Sequence, residues 1–150
     1  MPGHSSAAIA AYPELGCTGD TLAVPHRWGV FKDIYCAGKE ETFVFLQEVM
    51  DEVVRLFPGP RIHIGGDEAP KVRWEECPLC QERMKAEGLA NEEELQRWFI
   101  GRMGRYLESK GKTIIGWDEI LEGGLPEGAA VQSWRGMEGA AEAVHLGADV

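Results

Sequence analysis

The chain has 150 residues, with 15 Lys and Arg against 25 Asp and Glu, a formal net charge of −10. With 44% apolar residues this length can build one domain with a real core, which argues against intrinsic disorder, and without a Lys/Arg-rich run the electrostatic footprint for nucleic acid or an anionic membrane is missing. No apolar stretch approaches the roughly 20 residues that cross a bilayer, and Met1-Pro2-Gly3-His4 has no basic region followed by an apolar one, so no targeting label is visible.

In chain order, residues 40–57 place Phe43, Leu46, Val49, Met50, Val53 and Phe57 at helical spacing, with Glu40 and Glu41 in the first turn where the helix dipole favours them. An amphipathic helix is predicted. Residues 61–64, Arg-Ile-His-Ile, are β-branched and bounded by Pro58-Gly59-Pro60 and Gly65-Gly66, which predicts a buried strand. A shorter helix is expected over 73–87, stopped by Gly88. Asn91 followed by Glu94 has the pattern of an N-cap with its capping partner, and Leu95, Trp98, Phe99, Met103, Tyr106 and Leu107 continue a stripe up to Lys110-Gly111. Strands are predicted over 113–117 and 130–134, separated by a loop through Gly123-Gly124-Leu125-Pro126. A weak helix over 138–146 ends at Gly147, and Ala148-Asp149-Val150 reads as the opening of another strand.

Strand and helix therefore alternate, which predicts an α/β fold with parallel strands at 61–64, 113–116 and 130–133, adjacent in that order. Polar and aromatic residues gather at the end of each strand: Asp67 and Glu68, then Trp117, Asp118 and Glu119, then Trp134 and Arg135. Barrel enzymes build their sites there. A dinucleotide-binding sheet would want a Gly-rich phosphate turn, whereas Gly65-Gly66 is followed by two carboxylates that would repel phosphate. A whole (β/α)8 barrel needs about 250 residues, so the expectation is a partial TIM barrel, truncated at both ends.

The cysteines at 17, 36, 77 and 80 do not fix a redox compartment. Cys77 and Cys80 have the spacing of half a zinc site, but Cys17 and Cys36 are not spaced as a second knuckle, so the favoured reading is four small, partly buried thiols, with a Cys17 to Cys36 disulfide or a structural zinc as alternatives.

The run His63-Ile64-Gly65-Gly66-Asp67-Glu68 carries the chemistry. It sets adjacent carboxylates on a rigid strand end, with glycines that let the chain turn and approach a ligand. Strand alternation puts Ile62 and Ile64 toward the helices and His63 toward the other face, which makes His63 a supporting residue rather than a proton donor. The run resembles the hallmark of glycoside hydrolase family 20, the β-N-acetylhexosaminidases. The likeness extends to Met1-Pro2-Gly3-His4, similar to that family's third strand end, to Trp117-Asp118-Glu119 at the fifth and to Trp134-Arg135-Gly136 at the sixth.

The resemblance implies about strands four to six of a TIM barrel and removal of terminal β-linked N-acetylglucosamine or N-acetylgalactosamine with retention. The substrate's own acetamido group would be the nucleophile, an exception to the two-carboxylate scheme. It makes Glu68 the general acid and base and Asp67 the residue that orients the acetamido group and stabilises the oxazolinium charge. Trp117 and Trp134 would wall the acetamido methyl, His4 would lie near the acid/base, and Glu119 would support the site. Asp118 is left open between site and loop cap, Trp98 is assigned to the core, and Trp28 and Trp74 are unassigned. Amino-sugar glycans are the implied partners, with no cofactor or metal, and the compartment would be periplasmic, secreted or lysosomal. The family's sugar-gripping residues on its first, seventh and eighth strands have no counterpart among these residues, so the 150 residues alone are expected to be inactive. Two other readings compete: a metal-dependent barrel hydrolase using His4, His63, Asp67 and Glu68, and a carbohydrate-binding protein that catalyses nothing.

Overall fold

The computed structural model describes residues 1–150. The elements are α1 (Ser6–Ala11), a 3₁₀ turn (Pro13–Leu15), α2 (Glu40–Leu56), β1 (Arg61–Gly65), α3 (Val72–Glu76), α4 (Pro78–Glu87), α5 (Glu92–Ser109), β2 (Thr113–Trp117), a second 3₁₀ turn (Asp118–Leu121), β3 (Ala130–Gln132) and α6 (Met137–His145). The strands form one sheet in the order β1-β2-β3. Both pairings are parallel, with Ile62 opposite Ile114 and Gly116 opposite Val131. The three predicted strands are therefore present, parallel and in the expected order.

The sheet is asymmetric. Ile62, Ile64, Ile114 and Val131 are buried against the helices, while Arg61 and His63 on the opposite face of β1 are exposed. The helical layer supplies the bulk of the core. Phe43 of α2 packs on Phe99 of α5 with ring centroids 4.9 Å apart, meets Trp98 edge-on at 5.4 Å, and Trp74 of α3 closes the group 6.3 Å from Phe99. Trp74 is fully buried, its indole N–H donating to the Tyr35 carbonyl at 2.9 Å, and Trp98 is half-buried and packs against the core as expected. Trp28 lies in a loop and is 97% exposed.

Helix boundaries follow local chemistry. Asn91 caps α5, its side chain accepting from the Glu94 amide at 2.9 Å, while the Glu94 carboxylate reaches back to the Ala90 amide, one residue beyond the usual capping-box partner. The helix expected over 73–87 is instead two. Cys77 precedes Pro78 and is extended (φ −85°, ψ 116°), because the proline ring disfavours a helical residue before it. Pro78 then starts α4, which Gly88 stops with φ 66°. Val49 and Phe57, placed on the apolar stripe by spacing alone, are exposed, and residues 148–150 form no strand, although the Asp149 carbonyl accepts from the Val131 amide at 2.8 Å. Glu40 at the start of α2 takes two hydrogen bonds from Arg102 of α5, at 2.5 and 2.9 Å, and pairs with Arg83 of α4, tying three helices together. No helix is long and apolar enough to cross a membrane.

Candidate active site

The end of β1 turns on two glycines in the left-handed region, Gly65 (φ 80°) and Gly66 (φ 105°). A side chain at Gly66 would overlap the Ile120 methyl, so both the turn and the close approach require glycine there. Glu68 follows with φ 43°, a backbone region costly for a residue with a Cβ. The turn is held from behind by Gln96 of α5, which is buried on that helix's apolar stripe. Its amide donates to the Gly66 carbonyl at 2.8 Å and its side-chain oxygen accepts from Lys71 Nζ at 2.5 Å, while Lys71 also donates to the Ala69 carbonyl. Burial pushes the Lys71 ammonium below its ordinary pKa, with Glu93, Glu122 and Glu92 opposing.

The N-terminal segment supplies a third group. Gly3 lies so close to the Asp67 and Glu68 carbonyls that an added Cβ would stand 2.9 and 3.0 Å from them. His4 follows with φ 55° and sets its Nε2 3.0 Å from Asp67 Oδ2 and 3.4 Å from Glu68 Oε2. One imidazole nitrogen thus bridges the adjacent carboxylates, and two of the three residues sit in strained backbone.

The wall of the site runs on from there. His63 Nδ1 accepts from the Gly65 amide at 3.1 Å, which leaves the ring proton on Nε2, and the ring lies 4.6 Å from Trp117. Desolvation lowers the His63 pKa against the pull of Asp67, so the ring stays neutral further into acid than a free histidine. Trp117 and Trp134 stand edge to face, 6.4 Å apart at 67°. The Trp134 indole N–H donates to both oxygens of Glu119, at 2.9 and 3.2 Å, which fixes the ring although the residue is 51% exposed. Buried Asp118 accepts from the Trp134 amide at 3.1 Å and from Arg135 Nε at 2.8 Å. Burial opposes ionisation of Asp118, but Arg135 and the Trp134 amide outweigh it and hold the carboxyl below its ordinary pKa.

The seven residues to which the sequence and the resemblance assign a site role therefore lie in two adjoining groups: His4, Asp67 and Glu68, then His63, Trp117, Trp134 and Glu119. Four supporting residues carry no role in the sequence reading. Asp118 is open there between site and loop cap; with Arg135 its signal is an Asp-Glu pair and a Trp-Arg pair at successive strand ends. Gln96 is detectable as an amide inside an apolar helical stripe, and Lys71 only through it.

Two donor sets are close enough to hold a metal ion, since the ligand atoms within each lie inside 4.8 Å of one another: His4, Asp67 and Glu68, which is open to solvent, and Cys17, Cys36, Cys77 and Cys80. The cysteines are free rather than paired in disulfides. At the first set, two adjacent, partly exposed carboxyl groups are placed so that one can exchange a proton with a ligand while its neighbour stabilises developing positive charge.

Residues 1–150 match the family model described as glycosyl hydrolase family 20, catalytic domain. The chain is 53% identical over 150 residues to a beta-hexosaminidase of Porphyromonas gingivalis, a match that covers 100% of this chain and 19% of that protein. Among solved structures it is similar to the beta-N-acetylhexosaminidase of Bacteroides fragilis, with TM-score 0.87 and 41% identity over 99% of this chain and 30% of the other. It also resembles the chitobiase of Flavobacterium johnsoniae, with TM-score 0.91 and 36% identity over 99% of this chain and 24% of the other. The chain spans less than a third of the length of each of these relatives.

Proposed function

The chain belongs to glycosyl hydrolase family 20, and on that footing we propose that it forms the catalytic centre of an enzyme that removes terminal, non-reducing β-linked N-acetylhexosamine from glycans, with retention and with the substrate's acetamido oxygen as nucleophile. The three-stranded sheet is an arc, about strands four to six, of one (β/α)8 catalytic barrel. Exposed apolar residues beside β3, among them Met137, Val144 and Val150, fit the further strands and helices such a barrel would pack there.

The observation that carries the reading is the Asp67–Glu68 pair at the end of β1, gathered by one histidine nitrogen. Glu68 protonates the leaving oxygen, and its conjugate base then activates the water that opens the oxazolinium ion. Asp67, oriented by His4, accepts from the acetamido N–H and stabilises the positive charge that grows as the ring closes. Trp117 and Trp134 pack the acetamido methyl and keep water away from the intermediate. Substrate assistance is favoured over an enzyme nucleophile because the buried carboxylates nearby are committed, Asp118 to Arg135 and Glu119 to the Trp134 indole.

The test uses the full-length protein that contains this chain. An aryl N-acetyl-β-glucosaminide should turn over far faster than the matching β-glucoside, and the first-formed sugar should be the β anomer by NMR. Comparable rates on the two sugars, or an α product, would refute the mechanism.

A further inference from the structure

Three of the four cysteine sulfurs lie in the protein interior, and the fourth, Cys17, lies at its edge. Cys36 Sγ is 3.6 Å from Cys80 Sγ and 3.9 Å from Cys77 Sγ, and Cys17 Sγ is 3.8 Å from Cys80 Sγ. All four sulfurs fall within 4.8 Å of one another. A tetrahedron of sulfurs at the zinc–thiolate bond length of about 2.3 Å has edges of about 3.8 Å. We infer that Cys17, Cys36, Cys77 and Cys80 form a structural zinc site, a closed tetrathiolate that braces the loop over residues 18–35 against α4.

The backbone is arranged to deliver the four donors. Gly16 and Tyr35 form an antiparallel bridge, and the Cys36 amide donates to the Leu15 carbonyl at 2.9 Å, so Cys17 and Cys36 lie diagonally across that bridge, and their sulfurs come within 4.8 Å despite their separation in sequence. Cys77 and Cys80 sit at the start of α4, where Pro78 forces Cys77 out of the helix and leaves Cys80 in its first turn. Gly38 lies flat on that first turn: a Cβ there would overlap the Leu79 carbonyl and the Cys80 amide nitrogen. Lys39 places a cation beside Cys17, its Nζ donating to the Gly16 carbonyl at 2.6 Å.

Other occupants fit less well. A redox disulfide between Cys77 and Cys80 would need an accessible sulfur, and both residues are buried. The space between the sulfurs accommodates one ion and not a multi-iron cluster, and tetrahedral thiolate selects zinc among single ions of fixed valence. Binding is acid–base chemistry alone: four thiols give up their protons to the solvent as the dication enters, with no electron transfer. The site also reaches the catalytic rim, because the Tyr35 amide beside Cys36 donates to the Pro2 carbonyl, two residues before His4.

The experiment uses the full-length protein, purified with reductant and without chelator or added metal, and does not depend on the proposed glycosidase activity. Elemental analysis should find one zinc per chain, and a thiol reagent should reach the four cysteines only after a strong chelator is added. Cobalt exchanged for zinc should give the near-ultraviolet thiolate-to-cobalt charge-transfer band together with the visible bands of tetrahedral cobalt. Cys80→Ser should bind less than about a tenth of the wild-type zinc. Because that variant could fail to fold for other reasons, the wild-type cobalt spectrum decides. Zinc-free protein that takes up no cobalt, cobalt bands without thiolate charge transfer, iron in place of zinc, or a disulfide among the four cysteines in peptide mapping would each overturn the assignment.

Discussion

The molecule gathers polar donors in two places built on opposite principles. At the end of β1 the donors are partly exposed, the side chains of His4, Asp67 and Glu68 being 51%, 20% and 36% accessible, and two of the three sit in left-handed backbone. Between the loop and α4 the sulfurs close on one another, Cys36 and Cys80 are fully buried, and Pro78 and Gly38 make the approach without a strained ligand. A group that must exchange protons with a substrate has to keep an open side, whereas one that only ties segments together gains by saturating every donor. On the proposed roles, left-handed backbone sits where it would position a reactive group and is absent from the four cysteines.

The largest expected effects should therefore come from the open set, and they should differ within it. Glu68→Gln in the full-length protein should depress hydrolysis of substrates with poor leaving groups by about 10² to 10⁴, and far less for an activated aryl leaving group that needs no proton. Asp67→Asn should cost about 10² to 10³ across the whole series, because every substrate passes through the charged intermediate. Steady-state kinetics on a series of aryl N-acetylglucosaminides checks this; identical leaving-group profiles for the two variants would sink the division of roles.

The closed set should behave the other way. Removing metal with a chelator should lower the unfolding temperature by several degrees, reversed by zinc, while the slope of rate against leaving-group pKa stays that of the wild type. A changed slope would mean that the two regions are not separable in function. A smaller effect is expected at the wall of the site. Glu119→Gln keeps an acceptor for the Trp134 indole but removes its charge, and hydrogen bonds to charged groups exceed neutral ones by about 1 kcal/mol, so KM should rise about fivefold with kcat little changed. An equal fall in kcat with KM unmoved would show that Trp134 is held by something else.

The same contrast explains what could be read from the residues alone. The open site rests on a contiguous run, His63 to Glu68, at the end of a strand whose β-branched residues and flanking breakers mark it, so its place on the sheet is legible in the sequence. The sulfur site is assembled from two loops and a helix start. Its second pair owes its adjacency to the Gly16–Tyr35 bridge, a tertiary contact that no spacing rule encodes, so spacing alone does not show that the four sulfurs gather. The break at Cys77 was legible in Pro78, and the expected single helix overlooked it. Val49 shows the reverse error: it fits the helical period, but the apolar stripe of α2 is wider than the face its neighbours cover. Gln96 and Asp118 act through hydrogen bonds to backbone and side chains far away in sequence, and their roles depend on where those partners fold.

The smallest predicted effect concerns α4's other anchor. Glu40 joins Arg83, one turn beyond Cys80, and Arg102, so an ion-pair cluster holds the same helix that the sulfurs hold. Hydrogen bonds from Arg102, aided by the charges of both arginines and opposed by desolvation, bring the Glu40 carboxyl down from 4.5 to about 2. A carboxyl depressed on folding contributes stability that is complete above its unfolded value and is lost as pH falls through the folded one, so the window lies between about pH 5 and pH 2. The side chain is 54% exposed, and solvent screening limits the contribution to no more than about 1 kcal/mol. Glu40→Gln should therefore lower the unfolding temperature slightly at pH 7, and the gap from wild type should narrow as the pH drops below about 4 and again in about 1 M salt, where the Debye length falls to about 3 Å. A gap that is the same at pH 7 and pH 3 would show that the substitution loses packing rather than charge. With zinc removed the gap should widen if the two anchors share the load on α4, and stay constant if each holds the helix independently.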